Sequence, residues 1–279
     1  MNKLKIKYIN SILNKQDAFS NKGDHGHALM IAGHKGNIGA AVIVSKAGLR
    51  TGVGLLTVSV PAEERCILQT TVPEVMVIMR EENLHNIDKF SAVGIGPAMG
   101  IDIFSEELLI YALTHFKKPL LLDADALTII SNNKKIMSEI PIGTIITPHI
   151  GEFDRLFGIH KNKADRLNTA ILKAKEHNII IVLKDHCTAI VSAEKLFFNT
   201  TGNAGLAKGG SGDALTGVIT SFLAQGYTSL HAANLGVCIH GLAVDITLKK
   251  QSIESMTIID VIENFGKAFK KIRNKCNTQ

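Results

Sequence analysis

Short runs of almost uniformly apolar residues alternate with longer stretches of helical periodicity along this chain, and that alternation restricts it to one broad architecture. The expected strands are residues 28–32, 55–60, 75–79, 92–95, 120–122, 144–147, 179–183, 189–192 and 195–199. A strand that is apolar at every position has both faces buried, the condition of a largely parallel sheet covered by helices on both sides. The expected helices are residues 40–51, 62–71, 106–115, 150–157, 166–177, 213–225, 230–248 and 258–272. Around the polar turn Ala193-Glu194 the pattern predicts a hairpin. The 279 residues, 46% of them hydrophobic, suffice for one large α/β core, and no Pro/Ser-rich linker divides them. One domain, 1–279, is the expectation.

In open α/β sheets ligands bind beyond the carboxyl ends of the strands. Five expected strands end in chemically loaded loops: Ala32 runs into GHKGNIGA, Ile95 into GPAMG, Leu122 into DADAL, Thr147 into PHIGE and Leu183 into KDHCT. Any one of these could be ordinary turn chemistry. They share a rim with a sixth segment, GNAGLAKGGSGDALTGVITSFL, residues 202–223. Its glycines let backbone N–H groups approach a ligand, and Leu215, Val218, Ile219, Phe222 and Leu223 form one apolar helical stripe behind them. A glycine loop opening a helix is an anion site. Asp213 would repel an anion that was merely bound. It better suits a base that takes a proton from a hydroxyl while the loop neutralises a transferring phosphoryl group, the bland alternative being a capping acid in the first turn. Two familiar phosphate signatures are absent: there is no GxxxxGK[ST], and GIGPAMG misses the GxGxxG spacing.

Charge and cysteine usage exclude several classes. The net charge of +6 owes much to Lys267, Lys270, Lys271, Arg273 and Lys275, which read as the solvated face of a terminal helix. With no Trp, three Tyr and no recognisable nucleic-acid module, anionic small molecules are the expected partners, not nucleic acid. Cys66, Cys187, Cys238 and Cys276 are scattered without CxxC or metal-ligand spacing and read as reduced thiols of a cytoplasmic protein. The N-terminal MNKLKIKYIN lacks a signal-peptide core, and no segment is expected to span a bilayer.

LDADAL (residues 122–127), TPHIGE (147–152) and GNAGLAKGGSGDALTG (202–217), in that order, closely resemble the carbohydrate-kinase-like domain of the NAD(P)H-hydrate repair family, in the ribokinase-like superfamily. The resemblance runs from KGDHG (22–26) to HGLAVD (240–245). It implies a ribokinase-like three-layer α/β/α sandwich. It also implies a stand-alone, bacterial-type enzyme that dehydrates the S epimer of hydrated NADH or NADPH, with ADP or ATP as phosphoryl donor and Mg²⁺ as cofactor. Asp213 would be catalytic. Ala40, Gly100, His149 and Asp213 would line the dinucleotide pocket. Lys184, Asp185, His186, Cys187 and Thr188, with Gly209, Gly210, Ser211 and Gly212, would meet the adenosine nucleotide, and Glu152 would hold Mg²⁺ through water. His149 read alone is a capping or solvent-facing histidine, and Asp123 read alone is as well placed to cap 126–130 as to orient a metal or loop.

Three positions depart from the family pattern: His34 for Ser, Ala98 for Gly and Asp185 for Gly. Ala98 is small enough to be tolerated, Asp185 suggests that its segment faces base or ribose, and His34 alters the grip on the dinucleotide. The resemblance also implies a homotetramer. With about 25 residues before the first expected strand, no N-terminal epimerase domain is expected, so epimer interconversion would fall to a separate protein. An ordinary vitamin-precursor kinase and a catalytically silent nucleotide sensor are the rival readings.

Overall fold

The computed structural model describes residues 2–15, 17–82 and 86–274, so Lys275 and Cys276 lie outside the described residues. The strands are β1 (Asn2–Lys3), β2 (His27–Ile31), β3 (Leu55–Val60), β4 (Met76–Met79), β5 (Ala92–Ile95), β6 (Leu121–Leu122), β7 (Ile145–Ile146), β8 (Ile180–Leu183), β9 (Ala189–Val191) and β10 (Leu196–Phe198). They form one sheet in the order β1-β10-β9-β8-β7-β6-β5-β2-β3-β4. Every pairing is parallel except the two made by β9, which runs against β8 and β10; β9 and β10 are the hairpin expected around Ala193-Glu194.

The helices are α1 (Ile6–Ile12), α2 (Gly39–Leu49), α3 (Arg65–Thr71), α4 (Ile103–His115), α5 (Ala124–Asn132), α6 (Ile150–Phe157), α7 (Lys163–Glu176), α8 (Ser211–Ala224), α9 (Ser229–Thr247), α10 (Ile258–Glu263) and α11 (Phe265–Asn274). Period-two alternation sends β2 side chains to opposite layers. Ala28 and Met30 join a core with residues of α2, α8, α9, α10 and α11, whereas Leu29 and Ile31 join one with residues of α4, α5, α6 and α7. The result is the three-layer sandwich of the ribokinase-like fold.

Several elements differ from the sequence expectation, each for a physical reason. The first strand and helix, β1 and α1, precede the first expected strand; two residues carry no periodicity, and β1 exists because it pairs with β10. The expected helix 258–272 is two helices that meet at Asn264. The stripe on α8 is only part of its burial, since every residue from Ala214 to Ala224 is buried. Gly217 lets α8 approach α2 closely, because a Cβ there would collide with the Val44 carbonyl. By length and composition α9 could cross a membrane, contrary to the expectation that no segment could, but most of it is buried in this fold, as for a core helix. On α11, Lys267 and Lys270 are exposed while Phe265, Ala268 and Ile272 are buried, so the basic cluster, as far as Arg273, lies on a partly solvated helix.

Strand order reverses between β2 and β5: from β2 the chain builds outward through β3 and β4, and from β5 it builds the other way through β6, β7 and β8. Loops leaving two such strands diverge to opposite faces and open a crevice at their carboxyl ends. GHKGNIGA follows β2 and GPAMG follows β5, so both glycine loops flank that crevice.

Candidate active site

The carboxyl ends of β6 and β8 and the start of α8 bring charged side chains together. Asp123, 1% exposed, follows β6, and Lys184 follows β8. Lys184 Nζ donates to Asp123 Oδ1 at 2.8 Å, and Thr216 of α8 donates through Oγ1 to Asp123 Oδ2 at 2.9 Å. Glu152 Oε2 lies 3.8 Å from the same Nζ. Asp123 occupies the N-cap position of α5 but makes no capping bond; its carboxylate is taken by Lys184 and Thr216, which settles against the capping reading.

Asp213 stands in the first turn of α8, one helical turn before Thr216 and so on the same face. Burial, then the neighbouring Asp123 charge and, more weakly, Asp125 push its carboxyl up to about 6, against the opposing pull of Lys184. Burial alone would lower Lys184, but Asp123, Glu152 and Asp213 outweigh it and hold the ammonium more firmly protonated than usual. A carboxylate poised near neutrality beside a fixed cation is a proton acceptor of useful strength.

The glycine loop enters α8 through Gly210, whose left-handed φ of +84° leaves the helix start without a side-chain cap. The first-turn N–H groups are thereby left for a ligand. Beyond Gly209 the space is open, and a Cβ on Gly212 would stand 3.5 Å from Lys184 Nζ and 3.6 Å from Asp123 Oδ2. Gly212 thus places backbone directly against the charged cluster. The loop is pinned from behind: Lys208 Nζ donates to the carbonyls of Glu254 (2.7 Å) and Met256 (2.6 Å). Asp245 of HGLAVD accepts from Gly202 N (3.0 Å) and Asn203 Nδ2 (2.8 Å).

His149 is the N-cap of α6. Its Nδ1 accepts from the N–H groups of Gly151 (3.0 Å) and Glu152 (3.3 Å), while Glu152 Oε2 accepts from His149 N (2.7 Å), a reciprocal capping box. This bonding assigns the ring hydrogen to Nε2, and the side chain is 54% exposed. Capping therefore fixes the ring at the rim, with Nε2 3.5 Å from Glu152 Oε1. Pro148 accepts from Lys184 N at 2.9 Å, tying the β7 and β8 ends together.

Gly100 N donates to Asp125 Oδ2 at 2.9 Å, and its φ of +92° is one a side chain rarely adopts. The His34 ring packs on it, with Cδ2 3.2 Å from where a Cβ would stand. Ala40, half-buried, lies at the start of α2 in the facing loop. Ala98 carries a φ of +48°, a glycine-type conformation imposed on alanine. In the segment after Lys184, Asp185 is engaged elsewhere, by Lys163 at 2.8 Å, and the hydrogen bond from Lys163 lowers its carboxyl below the usual range. His186 N donates to Asp185 Oδ1, the Cys187 thiol donates to the Asn199 carbonyl at 3.2 Å, and Thr188 Oγ1 donates to the Asp185 carbonyl at 3.4 Å. Of these five residues, only Lys184 joins the carboxylate cluster.

Thr216 and Arg80 were not singled out by sequence reasoning. Thr216 had a readable signal, the i, i+3 spacing from Asp213; Arg80 had none, being a single arginine after an edge strand. Among the described residues no group of three or more His, Cys, Asp or Glu side chains could hold a metal ion.

A largely parallel sheet whose carboxyl ends carry a glycine-opened helix and an adjacent carboxylate, without a P-loop, defines a kinase-like α/β protein. Within that class the chain belongs to the NAD(P)H-hydrate dehydratase family, whose pattern matches residues 28–266. It is 30% identical over 258 residues to the ADP-dependent (S)-NAD(P)H-hydrate dehydratase of Listeria monocytogenes, covering 91% of each chain. It is 31% identical over 270 residues to the bifunctional NAD(P)H-hydrate repair enzyme Nnr of Thermofilum pendens, matching 91% of this chain and 52% of that one. The chain thus spans about half the length of its bifunctional relatives. The crystal structure of ADP/ATP-dependent NAD(P)H-hydrate dehydratase from Bacillus subtilis, co-crystallised with ATP/Mg²⁺, superposes with a TM-score of 0.88 at 27% identity, covering 97% of this chain and 98% of that one.

Proposed function

We propose that this protein dehydrates the S epimer of hydrated NADH or NADPH at the expense of ADP or ATP, regenerating the reduced dinucleotide with release of AMP or ADP and phosphate. The observation that carries the reading is Asp213, with its carboxyl raised to about 6 beside Lys184 and at the glycine-opened start of α8. Asp213 accepts the proton of the ring hydroxyl as that oxygen attacks the terminal phosphorus of the nucleotide. The bond from phosphorus to the bridging oxygen breaks, and AMP or ADP departs. The N–H groups of Gly209, Gly210, Ser211 and Gly212, with the positive end of α8, neutralise charge on the phosphoryl group. Phosphate, a far better leaving group than hydroxide, is then expelled by the enamine nitrogen to leave a ring iminium, and loss of a proton to water from the adjacent ring carbon restores the double bond.

Ala40, Gly100 and His149 line the dinucleotide side. Lys184, through its charge, and the segment Asp185, His186, Cys187 and Thr188, through its backbone, line the nucleotide side. Asp185, already neutralised by Lys163, adds little repulsion to a nearby phosphate. Magnesium fits this donor set only as an ion carried mainly by the nucleotide phosphates, with Glu152 reaching it through water, because Asp123 and Glu152 are already engaged by Lys184, Thr216 and the α6 cap. When bound it would neutralise phosphate charge. The reading extends to one domain over 1–279, a cytoplasmic homotetramer and a functional link to an epimerase of the hydrate. The test is stoichiometric: with hydrated NADH and ADP, one AMP and one phosphate should appear per NADH restored. A stable phosphorylated product from a vitamin-precursor alcohol, without activity on the hydrate, would instead make the protein an ordinary kinase.

A further inference from the structure

Arg80 follows the edge strand β4, is 5% exposed and reaches beneath the β2/β5 crevice. Its Nη2 donates to the carbonyls of Ala32 (3.1 Å), Gly33 (2.7 Å) and Ser59 (3.1 Å), and its Nη1 donates to the carbonyl of Met99 (3.1 Å). No carboxylate appears among these partners. Burial is the main influence on the guanidinium, lowering it to about 10, with Glu81 and Asp102 opposing from farther away.

A buried cation without a paired anion costs several kcal/mol, so an apolar side chain would be the cheaper way to fill this space. The guanidinium instead offers a rigid fork of donors to carbonyls that the sheet has ceased to pair where the loops diverge. Ala32 and Gly33 begin the first glycine loop, Ser59 lies near the end of β3, and Met99 is the residue before Gly100. Gly33 N donates to Pro97 O at 2.8 Å, and Ser105 Oγ donates to Met99 O at 3.0 Å, so the same two loops are also stitched locally. Among the described residues, Arg80 is the one side chain that bonds both loops and β3 at once.

We propose that Arg80 is a positioning residue for the dinucleotide half of the site, holding the GHKGNIGA loop and the GPAMG turn at a fixed separation so that Ala40 and Gly100 face the substrate together. This rests on the reading that these loops bind hydrated NAD(P)H. It makes part of the affinity for the dinucleotide depend on a side chain that acts through the loop backbone.

Arg80→Lys keeps the charge and reaches fewer carbonyls; Arg80→Met removes both. In folded protein, KM for hydrated NADH should rise about 10-fold in Arg80→Lys and about 100-fold in Arg80→Met, the scale expected for misplaced binding groups, with kcat changed less than about threefold. Calorimetric affinity for ADP should stay within about twofold of the wild type. Amide hydrogen exchange should quicken at residues 33–40 and 98–100 and not at 209–213. An unchanged KM in folded Arg80→Lys, or parallel losses of hydrate and ADP binding, would overturn the proposal. If Arg80→Met does not fold, Arg80→Lys decides. If the wild-type protein does not act on the hydrate at all, the dehydratase reading fails by itself, and the exchange pattern then decides whether Arg80 holds the two loops.

Discussion

Asp213 occupies a costly place for a carboxylate, partly buried and facing the charge of Asp123, and that cost is what would make it a base in the proposed reaction. Its raised folded-state pKa means that the folded protein binds this proton more tightly than the unfolded chain does. The group therefore favours folding fully only below its ordinary range, and that contribution is lost as pH rises through about 6. Two outcomes follow for Asp213→Asn. Turnover should fall about 10²-fold or more with ADP affinity largely kept, by steady-state kinetics and calorimetry. Above pH 6 the variant should unfold later than the wild type, by on the order of 1 kcal/mol after solvent screening, by thermal denaturation. Wild-type kcat/KM should decline as pH drops below about 6, because a protonated Asp213 cannot accept the hydroxyl proton; a flat profile from pH 5 to 8 would remove it from that role. Ala98 offers a second test. At φ +48° it is held where glycine is free, so Ala98→Gly should stabilise the protein by roughly 0.5 kcal/mol and Ala98→Val should destabilise it.

The start of α8 divides its labour between two glycines, which the sequence pattern GGSGD does not reveal. Gly210 alone of the two turns the chain with a positive φ, with Ile43 Cδ1 2.6 Å and Ile258 Cγ2 3.0 Å from where its Cβ would stand. Gly210→Val should therefore lower thermal stability by about 2 kcal/mol or more, through strain and collision. Gly212→Val should leave the fold nearly intact, since a Cβ there meets only Lys184 and Asp123 at contact distance, while weakening ADP binding at least 10-fold by calorimetry. Equal effects at the two positions would contradict this division. Elements buried on both faces and written as short apolar runs were legible: β5 falls where the pattern predicts it, and β8 within one residue of its expected start. Elements held only by a distant partner, such as β1 on β10, were not. The motifs located the rim, yet Arg80 and the Asp123–Thr216 contact join residues far apart in sequence, and no local spacing encodes such a meeting.

Across the whole molecule, one sheet brings the β2/β5 crevice and the glycine-opened start of α8, with the Lys184–Asp123 pair against it, to the carboxyl ends of its strands. That arrangement suits a transfer of phosphoryl from one ligand to the other, and a direct elimination of water would need no helix start of this kind. The deciding measurement follows the near-ultraviolet absorbance of the reduced ring after purified protein is mixed with hydrated NADH and Mg²⁺, with ADP, with ATP or with neither. Absorbance should return when one of the nucleotides is present and stay flat when both are omitted. Recovery at full rate without nucleotide would contradict the phosphoryl-transfer mechanism, and no recovery with either nucleotide would contradict the assigned activity.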